Sequence, residues 1–184
     1  MMNFVCHSGG CDGADMAWET VAKEYGIKTF GYSFPTHKCH SDNPVILTNK
    51  QLTEGWDEVL RASIPLKRHN VNSQAGYIKG LLARNWFQVK NSDAVFAIGF
   101  LKNNVVQGGT GWACQMAINH NKPVYIFDQM IEQWHSYNFD NDKYEQIEEP
   151  ILTPNFAGIG TRDINDAGIN AIIKILESSN KSVN

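Results

Sequence analysis

FAGIGTRDIND, residues 156–166, is a short apolar run followed by a glycine turn, an arginine and the start of a helical pattern. A strand, a glycine-bearing turn and a helix in that order form the unit that opens a nucleotide-binding parallel sheet. Glycine lets backbone approach an anion closely, and the helix N-terminus favours negative charge there. The unit lies close to the end of a 184-residue chain. The other strand candidates stand before it.

Working back from Phe156, short apolar runs alternate with helix-length amphipathic segments, the pattern of a parallel sheet covered by helices on both faces. Strands are expected at NFVCH (3–7), KTFGY (28–32), AVFAIG (94–99), PVYIF (123–127) and NFAGI (155–159). Helices are expected at 14–26, 74–91, 111–121 and 164–179. Within the second of these, Ile78, Leu81, Leu82, Trp86 and Val89 recur at three- and four-residue spacing, an apolar stripe directed at the sheet. Arg84 and Asn85 fall off or beside that stripe. The fold class is thus α/β, a Rossmann-like three-layer α/β/α arrangement with a mainly parallel sheet. One domain spans residues 1–184, interrupted by excursions at about 33–72 and 128–150. The first contains a helix near 53–63, and such long excursions often serve as lids or oligomer contacts.

Bulk properties narrow the function. Sixteen Lys+Arg against 19 Asp+Glu leave a formal net charge of −3, without general attraction to nucleic acid or anionic lipid. Cys6, Cys11, Cys39 and Cys114 are scattered without a CxxC pair, so neither a zinc nor a redox motif is indicated. No apolar run approaches the roughly 18 residues of a membrane span, and the N-terminus lacks signal-peptide character. A cytoplasmic protein is expected.

Three loops can carry chemistry. HSGGCDGAD places Ser8, Gly9, Gly10, Asp12, Gly13 and Asp15 between a strand and a helix, where free amides suit a phosphate. The alternative is a tight turn with Asp15 simply favourable in the first helical turn. QGGTGW supplies Gly108, Gly109, Thr110 and Gly111 after another strand, and parallel sheets bind ligands at such strand ends. In the opening stretch, Gly158 and Gly160 make the turn, while Thr161 and Arg162 offer a hydroxyl and a guanidinium. His37, Cys39 and His40 are close in sequence, but nothing nearby completes a familiar ligand spacing, so no metal is expected. His7 stands beside the first glycine loop, with contact to ligand and a structural hydrogen bond equally open. Trp86, Phe87, Phe96 and Phe100 read as core.

Taken together, SGGCDGAD, LLARNWFQVKNSDAVFAIG, QGGTGWACQMAI, KPVYIFD and FAGIGTRDIND resemble the SLOG superfamily, the Rossmann-like group that includes the LOG phosphoribohydrolases and the DNA-processing protein A domain. The likeness spans nearly the whole chain, which more closely resembles an uncharacterised bacterial and phage branch of that superfamily. LOG enzymes cleave the base from a nucleoside 5′-monophosphate using an Arg-Lys pair, a Ser-Asp-Ala strand and a Gly-Gly-x-Gly-Thr-x-x-Glu loop. Here Arg84 stands at the arginine and Asn85 at the lysine. Ser92, Asp93 and Ala94 match the strand, and Gly108, Gly109 and Gly111 match the glycines. Trp112 replaces the threonine, and Gln115 stands where the catalytic glutamate would be. Neutral glutamine cannot act as a base in glycosidic cleavage.

The resemblance also explains the position of FAGIGTRDIND. In the relatives this unit comes first, so the present order reads as a circular permutation, which preserves a sheet when the old ends are close. The run at 155–159 should then lie parallel to and beside residues 3–7, with Gly160–Arg162 facing Ser8–Gly13. The favoured function is binding of a nucleotide or nucleotide-derived small molecule, as a binding protein or sensor, with Arg84 or Arg162 adding charge. The alternative is a phosphoribohydrolase-like enzyme in which Arg84 acts with Asp12 or Asp15 as the acid. An oligomeric scaffold or DNA-processing accessory is the third reading, with direct nucleic-acid contact unexpected. By resemblance a homo-oligomer is implied, with the aromatic face around Trp86 and the segment after Asp128 as candidate contacts.

Overall fold

In β4 (Ala94–Gly99) every residue is buried, and side-chain alternation sends the strand into two different cores. Ala94, Phe96 and Ile98 pack on one face with Trp18, Val21, Ile172 and Ile175. Val95 and Ala97 pack on the other with Val59, Leu82, Trp86 and Trp112. A strand apolar on both sides needs helices above and below it, which makes three layers. A computed structural model shows this arrangement and describes residues 4–181.

The chain runs β1 (Val5–Ser8), α1 (Ala14–Glu24), β2 (Lys28–Ser33), β3 (Pro44–Ile46), α2 (Asn49–Ser63), a 3-10 turn (His69–Ser73), α3 (Gly76–Lys90) and β4. Then follow the short β5 (Leu101–Lys102) and β6 (Val105–Val106), α4 (Thr110–Asn119), β7 (Val124–Asp128), β8 (Gln133–Asn138), β9 (Lys143–Ile147), β10 (Asn155–Gly160) and α5 (Asp166–Lys181). The main sheet has eight strands in the order β3-β2-β1-β10-β4-β7-β8-β9. It is parallel from β3 to β7 and antiparallel through β8 and β9. Helices α1 and α5 supply one outer layer, and α2, α3 and α4 the other. The Rossmann-like class expected from the sequence is the class observed.

The placement expected of the FAGIGTRDIND unit holds. β10 pairs in parallel with β1, with Val5 opposite Asn155 and His7 opposite Ala157, and also with β4. Asn3, included in the expected first strand, lies outside the described residues. The Ala14 amide donates to the Thr161 carbonyl at 2.9 Å, fastening the turn after β10 to the start of α1.

The two stretches read as excursions extend the sheet at its edges. Residues 33–72 contribute β3 and α2, a further strand and helix beside β2. The helix begins at Asn49, earlier than expected, because Thr48 and Gln51 form a capping box. Residues 128–150 supply the β8–β9 hairpin, whose first strand pairs antiparallel with β7. Their polar sequence fits this position, since edge strands keep much of their surface in water. Trp86, taken as part of a docking face, is instead covered: its Nε1 donates to Glu54 at 2.9 Å, and the His120 ring lies 4.5 Å away.

Candidate functional site

A cavity of about 940 Å³ opens where the loops after β1, β4 and β10 meet α3 and the loop before the 3-10 turn. These loops follow the carboxyl ends of parallel strands, the end at which open α/β sheets place ligands. From the first loop the cavity receives Cys11, Asp12 and Asp15; from the second, Gly108, Gly109 and Thr110; from the third, Gly160, Thr161 and Arg162. Helix α3 adds Arg84, Asn85 and Gln88. All three candidate loops therefore converge, together with both arginines.

Arg84 is the hub. It is 5% exposed, so the partners of its guanidinium must come from the protein. Nη2 donates to Asp15 Oδ2 at 3.4 Å and to Cys11 Sγ at 3.0 Å, and Nη1 donates to Gln88 Oε1 at 3.3 Å. Burial pushes the Asp15 carboxyl above the ordinary aspartate range, opposed by Arg84 and by the backbone amides of Cys11 and Gly160. Burial likewise raises the Cys11 thiol, while Arg84 pulls it back. On its far side Cys11 Sγ lies 3.1 Å from His37 Nε2. His37 Nδ1 is 3.0 Å from Ser33 Oγ. Burial, followed by the nearby Arg84 and His40, lowers His37 to about 4.

Positive charge in the cavity is not all neutralised by these contacts. Asp15 offsets Arg84. Arg68 instead donates to the carbonyls of Gly108 at 2.8 Å and Val106 at 3.5 Å, and lies over the Trp112 ring at 5.4 Å, so its charge remains available. Arg162 is exposed, and no salt bridge to it is formed among the described residues. Helix α4 has no side-chain cap at Gly109. A Cβ placed on Gly108 or Gly109 would meet nothing within 4 Å, so this loop offers bare backbone to the opening.

Not every candidate reaches the cavity. Ser8, Gly9, Gly10, Gly13 and Gly111 do not line it. Ser8 is fully buried, its hydroxyl donating to the Asp15 carbonyl at 3.1 Å. A Cβ on Gly9 would fall 1.5 Å from Arg84 Nη1 and 2.4 Å from Asp15 Oδ2. At Gly13, φ is +93° and a Cβ would lie 2.4 Å from the Arg162 carbonyl. These glycines make room for Arg84 and for the neighbouring turn; they correct the expectation of a bare phosphate loop after β1. Gly111 is pressed in the same way against the Val106 carbonyl.

Other expectations also resolve. Gln115 does not line the cavity and donates to Asn119 at 3.0 Å. Asp93 sits at the opposite end of β4, accepting from the Asn155 amide at 2.9 Å. His7 faces Tyr32, Nδ1 to hydroxyl 3.0 Å, rather than the cavity. His40 meets Asp12 at 3.5 Å while His37 turns to Cys11, and among the described residues no metal-binding group of three or more His, Cys, Asp or Glu forms. Phe100, assigned to the core, lines the cavity, as do Ile78 and Leu81 from the presumed sheet-facing stripe. Ile78 and Leu81 lie in the first turns of α3, where the helix borders the opening instead of strands. Lys67, Arg68, Gln88 and Cys11 were absent from the sequence-based set. A basic pair before a helix was visible, but only the fold carries Lys67 and Arg68 to the glycine loop.

Neither a protein-family model nor a curated protein matches the chain. One solved structure is similar in fold: the "Putative molybdenum carrier protein" of Syntrophus aciditrophicus SB. Its TM-score is 0.50 at 15% sequence identity, with 97% of this chain and 95% of that chain covered. At this identity the likeness concerns the fold alone. No helix among the described residues is long and apolar enough to cross a membrane.

Proposed function

We propose that the cavity binds a nucleotide or a nucleotide-derived small molecule through its phosphate, and that the chain is a circularly permuted SLOG-type domain. The supporting observation is the convergence of the exposed Gly108–Gly109 backbone, Thr161, Arg162 and Arg68 on one opening, with Arg84 buried beneath it. A phosphate offers oxygens to amides and guanidinium groups together, and such charge-assisted bonds are among the strongest in proteins. The apolar part of the lining, Ile78, Leu81, Phe100 and Trp112, suits a base or sugar face. The parallel pairing of β10 with β1 supports the permuted order.

Phosphoribohydrolase activity is the second reading. It draws on Asp15, a buried carboxyl beside the cavity held above its ordinary range. Against it, Asp15 is already engaged by Arg84, and Gln115 lies outside the lining.

Isothermal titration with AMP and with inorganic phosphate tests binding, and chromatography of the same mixtures tests for released adenine. Saturable AMP binding weakened at least tenfold in Arg162→Ala supports the binding reading. No AMP binding refutes it, and adenine release lost in Asp15→Asn would favour the enzyme. Molybdate belongs among the control ligands, because the similar fold is described as a molybdenum carrier.

A further inference from the structure

Cys11 occupies an unusual place between the cavity and a histidine. It lines the opening and is part-buried, whereas Cys6 and Cys114 are buried. Arg84 can only donate, so its 3.0 Å contact to Sγ uses a sulfur lone pair. The thiol proton is then free to point at His37 Nε2, 3.1 Å away. That direction requires Nε2 to be the acceptor, which puts the imidazole proton on Nδ1, facing Ser33 Oγ at 3.0 Å. Thiol, imidazole and hydroxyl thus form an oriented chain, the arrangement of a nucleophile, its base and a group that holds the base. Two buried donors, Arg84 Nε and Gln88 Nε2, also lack partners among the described residues, on side chains 5% and 1% exposed. Both residues line the same cavity.

We propose that Cys11 is a nucleophile, with His37 as its proton acceptor, toward an acyl group activated on phosphate. The leaving-group side of this proposal rests on the anion-binding reading of the cavity. In the step, Sγ attacks the acyl carbon and a C–S bond forms. The C–O bond to phosphate breaks and phosphate departs with the electron pair, while the thiol proton passes to His37 Nε2 and from there to the departing oxygen, so that the leaving group is hydrogen phosphate and His37 is neutral again. Water then hydrolyses the thioester, restoring the thiol and releasing the carboxylic acid. Burial first and Arg84 second weaken His37 as a base, and burial opposes the thiolate that Arg84 favours, so His37 relays the proton rather than keeping it and the acyl group must already be activated. Charged groups facing Cys11 are Arg84, Asp15 and Arg162; those facing His37 are Arg84 and His40.

The test uses acetyl phosphate with the full chain, followed by peptide mass spectrometry and hydroxylamine treatment. The expected result is a hydroxylamine-labile acetyl group on Cys11, formed faster than on the comparably exposed Cys39. It should form roughly 100-fold more slowly in His37→Asn, the scale of a lost general base. Iodoacetamide labelling gives a second readout that needs no phosphate: Cys11 should react faster than Cys39, and His37→Gln should abolish the difference. Labelling of Cys11 no faster than Cys39 by either reagent, or undiminished in both His37 variants, overturns the proposal. AMP titration of Cys11→Ser separates the two readings: binding without any Cys11 thioester in the native chain refutes only the nucleophile, while absent binding refutes the anion site.

Discussion

Replacing Arg84 by Met retains much of the aliphatic stem but removes the guanidinium, leaving the Asp15 carboxyl without its nearest cation. Asp15 and Arg84 are 6% and 5% exposed, so water cannot readily take the guanidinium's place. Breaking a buried ion pair from one side costs about 3–5 kcal/mol. The amides of Cys11 and Gly160 still reach Asp15, so the lower end, about 3 kcal/mol, is expected at pH 8. For a chain of this size that corresponds to a melting temperature lower by ~6–12 °C.

The pH dependence gives the sharper check. Burial already holds Asp15 above its ordinary value of 3.8, and loss of Arg84 moves it further in the same direction. A carboxyl raised on folding favours the folded chain in its protonated form, so stability falls as pH rises from about 3.8 through the folded-state value. The deficit of Arg84→Met should therefore be largest at pH 8 and shrink toward pH 5. Adding Asp15→Asn should recover about 2 kcal/mol at pH 8, because the uncompensated charge is gone. Urea denaturation followed by circular dichroism at the two pH values measures all three proteins. Equal deficits at pH 5 and pH 8, or a double variant no more stable than the single one, would refute the buried-charge reasoning.

Glycine substitutions should divide by location. Gly9→Ala should destabilise by about 2 kcal/mol or more through collision with Arg84 and Asp15, whereas Gly109→Ala should change stability by less than ~0.5 kcal/mol yet weaken AMP binding; thermal melts and calorimetry on both variants distinguish them. Gln115→Glu, which restores the residue type of the LOG enzymes, should release no adenine from AMP, since position 115 pairs with Asn119 outside the cavity. Appearance of free base would show that the side chain reaches the ligand. Lys122→Met should lower the melting temperature measurably, because Nζ donates to the carbonyls of Val89, Lys90 and Ser92 at 2.7, 3.1 and 2.5 Å near the end of α3.

How much of this was legible in the chain differs from element to element. AVFAIG and NFAGI declared themselves as buried strands, because short apolar runs bounded by turn residues carry their own signal. The 3.6-residue period marked α3 but misjudged its first turns, since periodicity shows that Ile78 and Leu81 share a face without showing what lies opposite. β3, β8 and β9 escaped notice because edge strands are short or polar and depend on a neighbour for their hydrogen bonds.

By itself the sequence determined the three-layer class, the order of the main strand–helix units and the loops that carry glycine and arginine, all of which depend on local patterns of apolar spacing and turn chemistry. Only the tertiary structure decided what those loops do. It turned Gly9 and Gly13 into clearance for Arg84 and for the turn after β10, took Gln115 out of the cavity, and brought Arg68 across to the Gly108 carbonyl. It also joined Cys11, His37 and Arg84, residues separated by 26 and 73 positions from the cysteine. No local pattern encodes such a meeting; it arises because parallel strands deliver their following loops to one end of the sheet, however far apart those loops lie in the chain.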